Sequence, residues 1–235
     1  VSGTGGISSE DANMGVRIYN TNSAITSIGG DVIVIGKGGG SGMSISNVGV
    51  MLQASGQISA GSMGMVKVTG SGGASENNGN YGVFVTNFNS RIISSGGDVN
   101  VIGNGGGIGD SYNNHGVVIA SGGEVSAGGL GSVSLEGTGA TSIGYGHFGV
   151  VLININSKIT SAGGNVKVVG MGGGSGASSG NNGVSLYFSC EISAGGMGAV
   201  EVYGTGGPSN GNGNHGVYIE NTDAALAIIE NAHQY

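Results

Sequence analysis

Apolar and polar residues alternate with a period of two in short bursts along this chain, and the bursts recur at fixed distances. Val16/Ile18, Val50/Leu52, Val83/Val85, Val117/Ile119, Val150/Leu152, Val184/Leu186 and Val217/Ile219 form one family of apolar pairs. A second burst begins at Ile25, Ile58, Ile92, Val125, Ile159, Ile192 and Leu226. A third carries Val32/Val34, Val66/Val68, Val99/Val101, Val133/Leu135, Val166/Val168 and Val200/Val202. Alternation over so few residues predicts half-buried strands rather than helices. Each set of three is followed by a glycine-rich loop such as Gly36–Asn47.

A glycine precedes every member of the first family: Gly15, Gly49, Gly82, Gly116, Gly149, Gly183 and Gly216, spaced alternately 34 and 33 residues apart. The alternation defines two unit types and a 67-residue double repeat. Three short strands, each with one apolar face, cannot bury that face alone. Stacking the units as coils gives every strand a partner above and below and closes a common interior. The prediction is an all-β fold, a parallel β-solenoid of about seven coils, and coils of this length with a protruding loop favour the right-handed β-helix. It makes one repeat domain over residues 1–226, with an atypical segment at 227–235 expected to be a cap or junction. Glycines are assigned to corners, where positive φ is often needed.

Rows of equivalent residues support stacking. Two residues before the marker glycines stand Asn13, Asn47, Asn80, Asn114, His147, Asn181 and Asn214, as expected of side-chain amides stacked at a turn. Two residues after each second-burst opener the chain alternates Ser27, Ala60, Ser94, Ala127, Ser161, Ala194, all small enough to face inward at a tight bend. On the outward positions of the first strand, Tyr19, Met51, Phe84, Val118, Val151, Ile153, Tyr187 and Tyr218 make an apolar stripe on a face expected to be wet. Such patches usually mark contact surfaces, so lateral association is expected, the alternative being that another part of the chain covers the stripe.

Composition narrows the function classes. Of 235 residues 56 are Gly, with one Pro, and Gly does not recur every third residue, which removes collagen. The 37% of apolar residues at regular places argues against disorder. A net charge of −7 with six Lys and Arg argues against a nucleic-acid partner, and no apolar run is long enough for a membrane helix.

The search for chemistry finds little. Glycine-rich runs that approach G-x-G-x-x-G, such as Gly103–Gly109, follow from composition and no helix succeeds them. Only Asp110 approaches the aspartate of calcium-binding nonapeptides. Two carboxylate pairs occupy equivalent positions, Asp31 with Asp98 and Glu124 with Glu191, each two coils apart and so separated by about 10 Å. That is slightly wide for a glycosidase pair, and both read as solvated turn residues. His115, His147 and His215 lack a recurring carboxylate or Cys beside them, so no metal site, cofactor or catalytic residue is expected. Cys190 stands where Gly56 and Gly123 stand in equivalent coils, which suggests an exposed thiol. A regular outward Thr ladder of the ice-binding kind is not present, since Thr26 and Thr160 alternate with Ser59, Ile93, Ser126 and Ser193.

The phrases "ITSIGGDVIVIG" and "ISAGGMGAVEVYG", with glycine-rich loops between them, resemble the repeats of large bacterial secreted β-helix proteins of the filamentous-haemagglutinin-like and autotransporter-adhesin-like kind. The resemblance implies an extracellular or cell-surface rod, non-catalytic, that forms a fibre, stalk or adhesin shaft. Residues 1–14 supply the closing third of a coil and residues 216–235 its first two strands, which predicts head-to-tail stacking of subunits or of successive segments of a longer chain. Expected partners are therefore other copies of the chain and cell-surface or matrix carbohydrate. The alternative reading is a carbohydrate-binding or polysaccharide-cleaving β-helix.

Overall fold

The computed structural model describes residues 1–220 and the backbone of 225–228. Its strands form three seven-stranded sheets, and every described strand pairing is parallel. The first sheet stacks Val16–Tyr19, Val50–Gln53, Val83–Thr86, Val117–Ala120, Val150–Ile153, Val184–Tyr187 and Val217–Glu220. The second stacks Ala24–Ser27, Gln57–Ala60, Arg91–Ser94, Glu124–Ala127, Lys158–Ser161, Glu191–Ala194 and Ala225–Ile228. The third stacks Ser2–Thr4, Val32–Lys37, Val66–Ser71, Val99–Asn104, Val133–Thr138, Val166–Met171 and Val200–Thr205. This is the parallel β-solenoid of about seven coils. The pairing register joins like to like, for example Leu52 to Val85, Val85 to Ile119 and Ile119 to Leu152.

The core runs the length of the column. Val50, Leu52, Ile58, Val66, Val68 and their equivalents as far as Val184, Leu186 and Ile192 are buried in one continuous cluster, with Val200 and Val202 half-buried against it. The small row is buried as expected from Ala60 through Ala194, with Ser27 half-exposed in the first coil. Its serines turn their hydroxyls to backbone: Ser94 Oγ donates to the Gly97 carbonyl and Ser161 Oγ to that of Gly164. The atypical segment 227–235 lies outside the described residues, apart from the backbone of the strand Ala225–Ile228.

The marker glycines do different work from that expected. None of them has positive φ. They sit where two stretches of backbone nearly touch: a Cβ on Gly149 would lie 2.4 Å from Met171 N and 2.6 Å from the Gly183 carbonyl oxygen. The third strand also runs on through a glycine that faces the marker, and a Cβ on Gly137 would lie 2.1 Å from the Gly149 carbonyl oxygen. Close approach, not turn geometry, fixes glycine there. The corner between the first and second sheets instead uses other residues at positive φ, Asn20/Asn22, Asn87/Asn89 and Asn154/Asn156 in the longer units and Ala54/Ser55, Ser121/Gly122 and Phe188/Ser189 in the shorter ones. Asn tolerates this region, which explains the N-x-N triplets of the longer turns.

Candidate functional site

The asparagine row forms a ladder inside the column. Asn13 Nδ2 donates to Asn47 Oδ1 (3.0 Å), Asn47 Nδ2 to Asn80 Oδ1 (2.9 Å), Asn80 Nδ2 to Asn114 Oδ1 (3.1 Å) and Asn181 Nδ2 to Asn214 Oδ1 (3.0 Å). Backbone N–H groups join it, as when His147 N donates to Asn181 Oδ1 at 2.9 Å. Serine hydroxyls complete the rungs: Asn47 Nδ2 also donates to Ser44 Oγ (3.0 Å), and Asn181 Nδ2 to Ser178 Oγ (2.9 Å). Asn47, Asn80, Asn114 and Asn181 are completely buried, so these bonds satisfy groups that would otherwise be costly to bury. The buried stretch of the ladder is architecture, its amides spent on one another, on serines and on backbone.

One rung is irregular. His147 Nδ1 accepts from Asn114 N (3.4 Å), which leaves Nε2–H to face Ser142 Oγ at 3.1 Å. An imidazole has no amide oxygen for the preceding Asn, so Asn114 Nδ2 turns to the Asn77 carbonyl (3.3 Å). Ser111 Oγ, the equivalent of Ser44 and Ser178, is then the one buried side-chain polar atom among the described residues without a partner. Burial pushes the His147 pKa down, and burial, together with the neighbouring His147, pushes that of His115 down to about 3. Both rings are held neutral.

The apolar stripe is brought together on the first sheet, but its centre is covered. Residues immediately before the marker glycines stack over it: Tyr81 on His115 (ring centroids 5.1 Å apart, planes at 12°) and His115 on Phe148 (4.7 Å, 7°). Val118 and Val151 are buried against this roof with Phe84, Ile153 and Tyr187 half-buried beside them; elsewhere in the stripe Met51 is buried and Tyr218 half-buried. Tyr19 is exposed, with the Arg17 guanidinium 4.5 Å over its ring. The stripe therefore offers less free apolar surface than its alternation implies, because the chain supplies its own aromatic lid.

The acids have structural partners. Asp31 Oδ1 accepts from Met65 N and Asp98 Oδ1 from Ser132 N, each at 2.8 Å, and Asn165 Oδ1 accepts from Ala199 N in the same way. These residues tie one coil's turn to the next. Glu124 and Glu191 belong to an outward row on the second sheet that also contains Arg91 and Lys158, paired in register as Arg91, Glu124, Lys158, Glu191. Glu124 lies 3.8 Å from the Arg91 guanidinium and 3.7 Å from Lys158 Nζ, and Ser126 Oγ donates to it at 2.8 Å. Sequence comparison within one unit type hides the two cations; following the row through both unit types shows the alternation at once.

This row floors a groove of about 310 Å³, walled on the turn side by Phe88 and Asn156. Phe88, Ile155 and Phe188 stand exposed along that turn, at 62%, 63% and 49%. The Phe88 ring leans over Gly122, where an added Cβ would lie 2.8 Å from it.

Cys190 is not exposed. It is buried in the main core at 1% exposure, and burial raises its thiol pKa, because the Phe188–Ser189 turn directs the following residue inward. An intermolecular disulfide through it is therefore unsupported. No group of three or more His, Cys, Asp or Glu able to hold a metal occurs among the described residues, and no helix among them is long and apolar enough to cross a membrane. Neither a scan of protein-family models, nor a search of curated proteins, nor a search of solved structures finds a match to this chain.

Proposed function

We propose that this chain is a length of non-catalytic extracellular rod, the shaft of a fibre, stalk or surface adhesin of the filamentous-haemagglutinin-like or autotransporter-adhesin-like kind. The observation that carries the reading is the unbroken register of three parallel sheets through every described coil. Each coil presents the backbone groups and apolar row that the next one needs, so the column can be lengthened by any further coil of the same pattern. Parallel backbone ladders of this kind template the addition of further strands. Head-to-tail stacking of copies therefore joins the reading, and light scattering of the isolated chain across a dilution series tests it. Assemblies growing with concentration support stacking; a monomer that persists at all concentrations overturns it.

The second reading, a carbohydrate-binding or polysaccharide-cleaving β-helix, has one observation in its favour, the groove that combines Phe88 with Glu124 and Glu191. Against it as an enzyme, the two glutamates are separated by Lys158, and Glu124 is held between two cations. Release of reducing ends from matrix polysaccharides would favour it over the rod.

A further inference from the structure

The row Arg91, Glu124, Lys158, Glu191 places charges of alternating sign on four consecutive coils, about 4.8 Å apart. Its order, plus–minus–plus–minus, becomes minus–plus–minus–plus when read backwards. Two copies laid face to face and antiparallel, about a two-fold axis running across the face between the Glu124 and Lys158 coils, bring opposite charges together at every rung. Arg91 meets Glu191 of the second copy, and Glu124 meets Lys158. A parallel two-fold arrangement in the same register would oppose like charges throughout.

We infer that this face of the second sheet is a lateral, antiparallel contact site for a second copy of this chain. Three further features fit that occupant. The two-fold axis across the face keeps the turn side of one column opposite the turn side of the other, so exposed Phe88 comes opposite exposed Phe188 and Ile155 lies beside the axis. Arg91 and Lys158 keep 41% of their side chains accessible and so have donors left for a second carboxylate. In the neighbouring outward row Ser126, Thr160 and Ser193 are short, and the larger Ile93 of the Arg91 coil comes opposite Ser193 of the second copy. Symmetric contacts of this self-complementary type are the commonest in homo-oligomers.

The face spans four coils, well below the roughly 800 Å² per partner of a standard interface, so one pairing is weak and salt-sensitive. Long columns that repeat it gain by multivalency. End-to-end stacking lengthens a column whereas this contact adds a second one, so each can fail without the other.

Sedimentation equilibrium up to millimolar chain concentration tests the inference. The wild type is expected to pair laterally, beyond any end-to-end growth, and more weakly as salt rises. The double variant R91E/E124K sets like charges across the axis at every rung and is expected to weaken dimerisation at least tenfold. Adding K158E and E191K restores opposite charges both along and across columns, so the fourfold variant is expected to regain antiparallel dimerisation with itself. That rescue separates lost contact from lost folding. In an equimolar mixture, F88C and F188C chains are expected to form a disulfide with each other and not with themselves. A wild type that remains monomeric, or a double variant that pairs as well as the wild type, overturns the inference. So does a glycan whose binding Phe88→Ala abolishes while the wild type stays monomeric, which would assign the groove to carbohydrate.

Discussion

Gly137 and Gly149 meet backbone to backbone inside the coil, and no side chain fits between them. Gly137→Ala would put a methyl group 2.1 Å from a carbonyl oxygen in a rigid ladder, and overpacking against backbone has no soft direction in which to relax. A loss of about 3 kcal/mol or more is expected in urea unfolding. The histidines set a different residue-scale property. His115 has an ordinary pKa of 6.5 and a folded value near 3, so between those values the unfolded chain takes up a proton that the folded chain refuses. Its contribution is therefore complete above pH 6.5 and lost as pH falls toward 3, at up to about 1.4 kcal/mol per pH unit. Burial depresses His147 in the same direction. Stability should accordingly drop between pH 7 and 5.5, and His115→Phe, which copies Phe148 one coil on, should flatten that slope. An unchanged slope would mean that His115 is not the group responsible.

At the scale of strands and turns, much was legible in the sequence and the misses have physical causes. The first strand begins at the expected Val in every coil, because packing of Val16 and its equivalents coincides with the start of the hydrogen-bonded ladder. The second strand starts one residue before its apolar opener, at Arg91 for example, since backbone pairing does not depend on which way a side chain points. The third strand extends past its apolar pair because glycine carries no period to read, yet Gly137 occupies an inward strand position. The asparagine ladder could be read from one recurring residue type. The charge row could not be read within one unit type, because Arg91 and Lys158 belong to one and Glu124 and Glu191 to the other. The aromatic lid was missed because Tyr81, His115 and Phe148 share a place but not a residue type. Turns offer the sharpest test at this scale. Phe188 and Ser189 are consecutive residues at φ of 54° and 42°, a conformation costing a non-glycine residue about 1–2 kcal/mol. Ser121 and Gly122 make the equivalent turn with glycine in second place. Ser189→Gly should therefore stabilise the chain by about 1 kcal/mol, read as a raised urea midpoint with unchanged slope.

For the whole molecule, the column behaves as a quasi-one-dimensional stack in which each coil is stabilised by its neighbours. Its buried rows, the asparagine ladder and the Asp31-type turn ties all run along the axis, so nothing among the described residues marks one coil as the natural end. The seven coils of one chain make a stack of about 34 Å at the usual strand spacing. Fibre diffraction from aligned, concentrated chain measures directly whether that stack continues across copies. The account expects a meridional reflection near 4.8 Å, narrow enough to require coherent stacks well beyond 34 Å. A reflection broadened to the length of one chain, or none along the long axis, would contradict it.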